Sequence, residues 1–230
     1  MTVDERGKAS EAGPSVNSEV AVPGAVRKPF QLPGLDSTFT RLAGPLPMYR
    51  AQVTKAQWRA AASVVRSLGG RLLTIWGIDR RSEAGYFAVA VAYALNAGLV
   101  WLDLPLNDTE STSYPDLTAT FASAARMQRA VADLSGLVAS GAADTRPWLR
   151  HAAWPTNYFP LCGENNGRER FEALDEPYAF VTVTGDGVHE IPVGPVQAGI
   201  IEPGHFRFSV VGEKVLRLEE RLGYTHKGIE

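Results

Sequence analysis

An α+β fold is predicted for this 230-residue sequence: a small mixed or antiparallel sheet with packed helices, followed by an antiparallel β-ribbon. Three observations predict it. Residues 55–68 and 116–134 carry apolar side chains at helical spacing. Runs rich in β-branched and aromatic residues are joined by connections too short for crossover helices, which favours antiparallel neighbours. Neither a G-x-G-x-x-G nor a Walker sequence occurs, so nothing marks a βαβ nucleotide fold. The formal net charge of -2 gives no basic footprint for nucleic acid.

Residues 1–33 are polar, aperiodic and contain Pro, Gly and Ser, and read as a tail. An α+β domain is expected over 34–162, with order starting near Leu46 and a short strand through Pro47–Val53. Thr54 suits the N-cap of the first helix, because its hydroxyl can accept from first-turn N–H groups. Trp58, Ala61, Ala62, Val65 and Leu68 form its core stripe, and Gly69-Gly70 stops it. Strands are expected at 71–78, 86–95 and 99–104, with turns at 79–85 and 96–98. Asp116 is the expected cap of the second helix, whose stripe is Leu117, Phe121, Ala124, Gln128, Val131 and Leu134, closed by Gly136.

From Leu137 to Cys162 there is little periodicity, and a long irregular stretch in a compact domain marks function or an interface. Residues 163–178 are polar and read as a linker. The ribbon is expected over 179–230: a strand at 179–183, a Gly185-Asp186-Gly187 hairpin turn, and strands at 205–211 and 214–218. Gly194-Pro195, Glu202-Pro203-Gly204 and Gly212-Glu213 punctuate it.

No apolar run reaches the roughly 18 residues that span a bilayer, and the acidic N-terminus has no apolar core of a secretory signal, so a cytoplasmic chain is expected. The single cysteine, Cys162, excludes an internal disulfide and leaves too few thiolates for a zinc, iron–sulfur or nickel site. The histidines, His151, His189, His205 and His226, show no ligand spacing.

Residues 194–208 read G-P-V-Q-A-G-I-I-E-P-G-H-F-R-F, followed by V-V-G-E at 210–213 and Y-T-H-K-G-I-E at 224–230. This wording resembles the start of the large subunit of membrane-bound, energy-converting nickel–iron hydrogenases of the formate hydrogenlyase and hydrogenase-4 type. The 49-kDa subunit of respiratory NADH:quinone oxidoreductase is a more distant likeness. Upstream, Asp133-Leu134-Ser135-Gly136, Gly141-Ala142-Ala143-Asp144 and Trp154–Leu161 are similar to the NADH dehydrogenase 30-kDa domain that these hydrogenases carry fused in front. Ala125-Arg126-Met127-Gln128-Arg129 stands where respiratory relatives carry Trp and Glu-Arg-Glu, which matches the hydrogenase branch.

The resemblance implies a proton-relay role for Glu202, within an E-G-H-x-R pattern into which Pro203 is inserted; from the residues alone, an exposed Glu opening a Pro-Gly turn is the other reading. It also implies catalytic roles for His205 and for Glu230, which stands in the K/R-G-x-E pattern that opens the next helix. Either His205 or His226 could answer to a quinone-side histidine or be a ribbon residue bonded to backbone, and Gln197 stands where the family pattern has His. It also implies that this chain binds no cofactor itself. The nickel–iron centre and a 4Fe-4S cluster would belong to the full complex, because the Cys motifs lie beyond Glu230. Hence the sequence reads as the N-terminal part of a large subunit, truncated before the nickel motifs. The implied partners are the iron–sulfur small subunit, the remaining large-subunit region and, indirectly, membrane subunits, with peripheral placement on the cytoplasmic face. The alternatives are a subunit of a respiratory NADH:quinone oxidoreductase and a non-catalytic scaffold.

Overall fold

The computed structural model describes residues 30–106, 112–165, 168–172, 174 and 177–225. Its main sheet has five strands in the order β1(Thr40–Leu42), β2(Met48–Gln52), β5(Gly98–Leu106), β4(Tyr86–Leu95), β3(Arg71–Arg80). The tight turn Asn96-Ala97 and the one-turn helix α2(Arg81–Ala84) make β3, β4 and β5 antiparallel neighbours, as the short connections required. β2 joins β5 in parallel, and helix α1(Lys55–Ser67) carries the chain from β2 across to β3 at the far edge, so the sheet is mixed.

α1 starts as expected. Thr54 accepts from the Gln57 N–H, and the Gln57 side chain accepts from the Thr54 N–H, a reciprocal capping box. Trp58, Ala61, Ala62 and Val65 are buried, but Leu68, expected on the core stripe, is half exposed because it caps the helix as the chain turns away at Gly69. Trp58 Nε1–H donates to the Pro115 carbonyl at 3.1 Å, so this buried indole keeps its hydrogen bond.

Three expectations need correction. The second helix, α3(Ala124–Ser135), begins eight residues later than Asp116. The Asp116 carboxylate is committed to Thr118 and the Gln128 amide, while Gln128 Oε1 accepts from the Leu117 N–H at 2.9 Å. Those bonds hold 116–121 as turns, and Leu117 and Phe121 still reach the core. Ahead of it, β6(Ser113–Pro115) pairs in parallel with β7(Val138–Ser140). Packing also begins upstream of Leu46: Leu32 and Leu35 are buried, and Phe30 stacks on Tyr49 at 4.1 Å. Finally, 179–183 is not a strand, because the Val181 N–H goes to the Glu219 carboxylate rather than to a ladder.

The ribbon is the meander β8(Val188–Val193), β9(His205–Val211), β10(Lys214–Arg221), antiparallel throughout. α1, α3, β6 and β7 all lie on one face of the five-stranded sheet, where Val89, Val91, Tyr93, Val100, Leu102 and Leu104 face them. α3 reaches β3 closely because Gly77 has no side chain: a Cβ there would meet Ser135 Oγ at 2.6 Å. The aperiodic stretch after β7 then lies over α3, with the Leu161 N–H donating to the Leu134 carbonyl.

Candidate functional site

Two places carry chemistry: the loop between β8 and β9, and the joint that fixes the ribbon to the α+β domain. The loop is stapled at its base. Gly194 adopts φ 82° and follows the strand into a cis bond with Pro195, and a Cβ on it would collide with the Gly204 carbonyl oxygen. Gln197 Nε2 donates to that carbonyl at 3.1 Å, and His205 Nδ1 lies 3.3 Å from the Gly194 carbonyl, a contact that fits the Nδ1–H tautomer. Gln197, the departure from the family pattern, thus holds the loop shut. The tip presents Val196, Ile200 and Ile201 to solvent.

Glu202 and His205 are brought to this loop's return limb. Glu202 is exposed and accepts from Thr225 Oγ1 at 3.4 Å, so the described residues do not supply the burial that would raise a carboxylate pKa toward neutrality. His205 is half-buried against the Phe180 ring, at 5.3 Å. Arg207, the last polar member of the motif, stacks over Phe180 and lies 3.5 Å from the Glu190 carboxylate across the strand pair. His226 and Glu230 lie outside the described residues.

The joint is the larger polar construction. Arg129, on the inner side of α3 and 8% exposed, donates to the Arg146 and Pro147 carbonyls, to Tyr178 Oη and to Asp144. Arg146 forks onto Asp144 and reaches Glu219 of β10 at 2.8 Å and the Ala179 carbonyl at 2.9 Å. Glu219, 8% exposed, accepts with its other oxygen from the Val181 N–H at 2.6 Å. The Arg146 hydrogen bonds lower the Asp144 pKa to about 2, so the carboxylate stays ionised at any physiological pH. Asp133 acts alike on the backbone, taking the N–H groups of Trp148, Leu149 and Arg150 on one oxygen.

Sequence reasoning singles out Asp133 and Asp144 as family wording but misses Arg146, Tyr178 and Glu219. Glu219 stands in the charged run Glu219-Glu220-Arg221, where nothing local sets it apart from its neighbours. Arg129 enters the sequence reading only as part of the hydrogenase-branch wording. Cys162 is buried, its Sγ 3.8 Å from the Ser135 carbonyl, and burial pushes its thiol pKa up. Among the described residues no group of three or more His, Cys, Asp or Glu side chains stands together as metal donors. This donor set does not fit a nickel–iron centre or an iron–sulfur cluster. No helix among the described residues is long and apolar enough to cross a membrane.

Residues 51–170 match the family model described as "Respiratory-chain NADH dehydrogenase, 30 Kd subunit". Formate hydrogenlyase subunit 5 of Escherichia coli (strain K12) is 31% identical over 168 residues, and hydrogenase-4 component G of the same organism is 31% identical over 174; each match covers 70% of this chain. The chain spans 30% of the length of these two relatives. A carbon monoxide-induced hydrogenase of Rhodospirillum rubrum is 45% identical over 42 residues, 18% of this chain and 12% of that one. Among solved structures, a trypsin-resistant Nqo5 fragment aligns with a TM-score of 0.40 at 19% identity, covering 46% of this chain and 89% of the fragment. The membrane-bound sulfane sulfur reductase, an archaeal respiratory membrane complex, aligns at 0.49 and 14% identity, covering 62% and 91%.

Proposed function

Because this chain belongs to the respiratory-chain NADH dehydrogenase 30-kDa subunit family, we propose that it is the docking and scaffolding portion of an oxidoreductase subunit in a multi-subunit, membrane-associated complex of the nickel–iron hydrogenase class. The observation that carries this reading is the ion-pair joint: Arg129, Asp144, Arg146 and Glu219 fasten the motif-bearing ribbon to the α+β domain at a fixed position. A scaffold needs that rigidity, since positioning by a site's surroundings decides whether its groups act. The likeness to formate hydrogenlyase subunit 5 and hydrogenase-4 component G supports a place in hydrogen metabolism. The iron–sulfur subunit and the remaining large-subunit region are the partners in this reading. The chain sits at the cytoplasmic side of the membrane through them, and the metal centres belong to the rest of the complex.

Within that complex Glu202 is the proton-relay residue, shielded once a neighbouring region covers the loop tip formed by Val196, Ile200 and Ile201. Deleting the gene in its host should abolish membrane-associated hydrogen–deuterium exchange and leave NADH:quinone reductase activity intact. The reverse pattern would overturn the hydrogenase reading and establish the respiratory alternative, which the family's description favours. In the whole protein, Glu202→Gln should slow that exchange at least tenfold while cluster reduction proceeds, and undiminished exchange would remove the relay role.

A further inference from the structure

The five-stranded sheet has a second face that no described element covers. Residues of alternate parity to the core emerge there: Trp76 from β3, Ala90 and Ala92 from β4, Trp101 and Asp103 from β5, and Arg50 from β2. They are already organised. The Trp76 and Trp101 rings meet at 5.3 Å over the alanine floor of β4, and Arg50 stacks on Trp101 at 4.2 Å. Asp103, 5% exposed, takes the Trp101 Nε1–H at 2.9 Å and the Arg50 guanidinium at 2.5 Å.

We propose that this face seats an acidic amphipathic helix of a partner subunit. A sheet must bury an apolar face against another layer, and the surface here is apolar at its centre, with tryptophans and a stacked arginine, the residue types that dominate binding energy. The charge pattern selects the partner's chemistry. Arg71 and Arg80 stand at the two ends of β3 on this face, whereas Asp103 is the one carboxylate among its strand residues and is consumed by Arg50 and Trp101. An incoming helix therefore needs apolar residues at its middle and carboxylates towards both ends. β4 contributes ten residues, about 30 Å of strand, which a helix of about 20 residues matches. This inference concerns the opposite side of the sheet from the ribbon and does not depend on the redox reading.

The test places photoreactive benzoylphenylalanine at Thr74, exposed on this face, in the full protein expressed in its own host. Irradiation of the assembled complex and mass spectrometry then identify the attached peptide. A cross-link to an Asp/Glu-rich helical segment of another subunit, weakened at least tenfold by Arg71→Glu with Arg80→Glu, is the expected result. Both arginines are on the surface, so the doubly substituted chain should keep its melting temperature, which separates lost docking from lost folding. Attachment only to a second copy, to residues 1–29 of the same chain or to lipid would overturn the proposal, as would no attachment or a yield indifferent to the charge reversal.

Discussion

His151 shows how one residue reports on the joint. It sits at φ 37°, with Ala152 at φ 62° after it, in a region that costs L-residues about 1–2 kcal/mol. Its ring stands edge-on to Tyr178 at 5.4 Å and beside Gly223, and Nε2 is buried with no hydrogen-bond acceptor or donor among the described residues. Burial, followed by the positive charge of Arg221, holds its pKa below 6.5, with Asp133 opposing and Arg129 adding to the effect. The unfolded chain therefore binds a proton that the folded chain refuses. Stability is complete above pH 6.5 and falls as pH drops from there towards the depressed folded value. His151→Asn keeps a residue that tolerates the left-handed region and removes the titration. The melting temperature of the native chain should fall more between pH 7.5 and 5.5 than that of the variant, as followed by circular dichroism. Nothing in the sequence marks this residue beyond its isolation, because its strain and its burial both come from segments distant along the chain.

Elements were legible where local chemistry agreed with the tertiary contacts. The Thr54 cap, the Gly69-Gly70 stop and β4 over Tyr86–Leu95 stand where spacing and turn residues put them. α3 differs because an Asp in front of an apolar stripe can cap a helix or close a turn, and the Gln128 side chain, reaching back from within the helix, decides for the turn. The absent strand at 179–183 has the same kind of cause, a side chain on β10 competing for a backbone N–H. Gly77 ties α3 to β3, and Gly77→Val, placed against Ser135 and Leu137, should destabilise the domain by about 1–3 kcal/mol in urea unfolding through overpacking. At the ribbon, Glu219→Ala leaves the Val181 N–H without an acceptor and takes one of Arg146's carboxylate partners, at a cost of about 2 kcal/mol. Because Asp144 still holds Arg146, the domain should stay folded, and limited proteolysis should cut between 174 and 187 much faster than in the native chain. Equal rates would show that the joint is not what fixes the ribbon.

For the molecule as a whole, the α+β class followed from short connections and periodicity, but the joint did not. Its members come from α3, the aperiodic stretch and β10, as much as 90 positions apart (Arg129 to Glu219), and no local pattern links an arginine on a helix to a glutamate on a strand. The exposed setting of Glu202 was one of two readings open in the sequence, because a Glu before Pro-Gly has the same wording whether solvent or another chain covers it. The bare sheet face has a consequence for the life of the protein in the cell. A chain made in excess of its complex displays the Trp76 and Trp101 surface continuously, the sort of surface that chaperones and proteases bind. Its steady-state amount should then follow the supply of the covering subunit rather than its own synthesis. In pulse-chase labelling, the half-life should shorten several-fold when that subunit is withheld and return when Trp76→Thr and Trp101→Thr make the face polar.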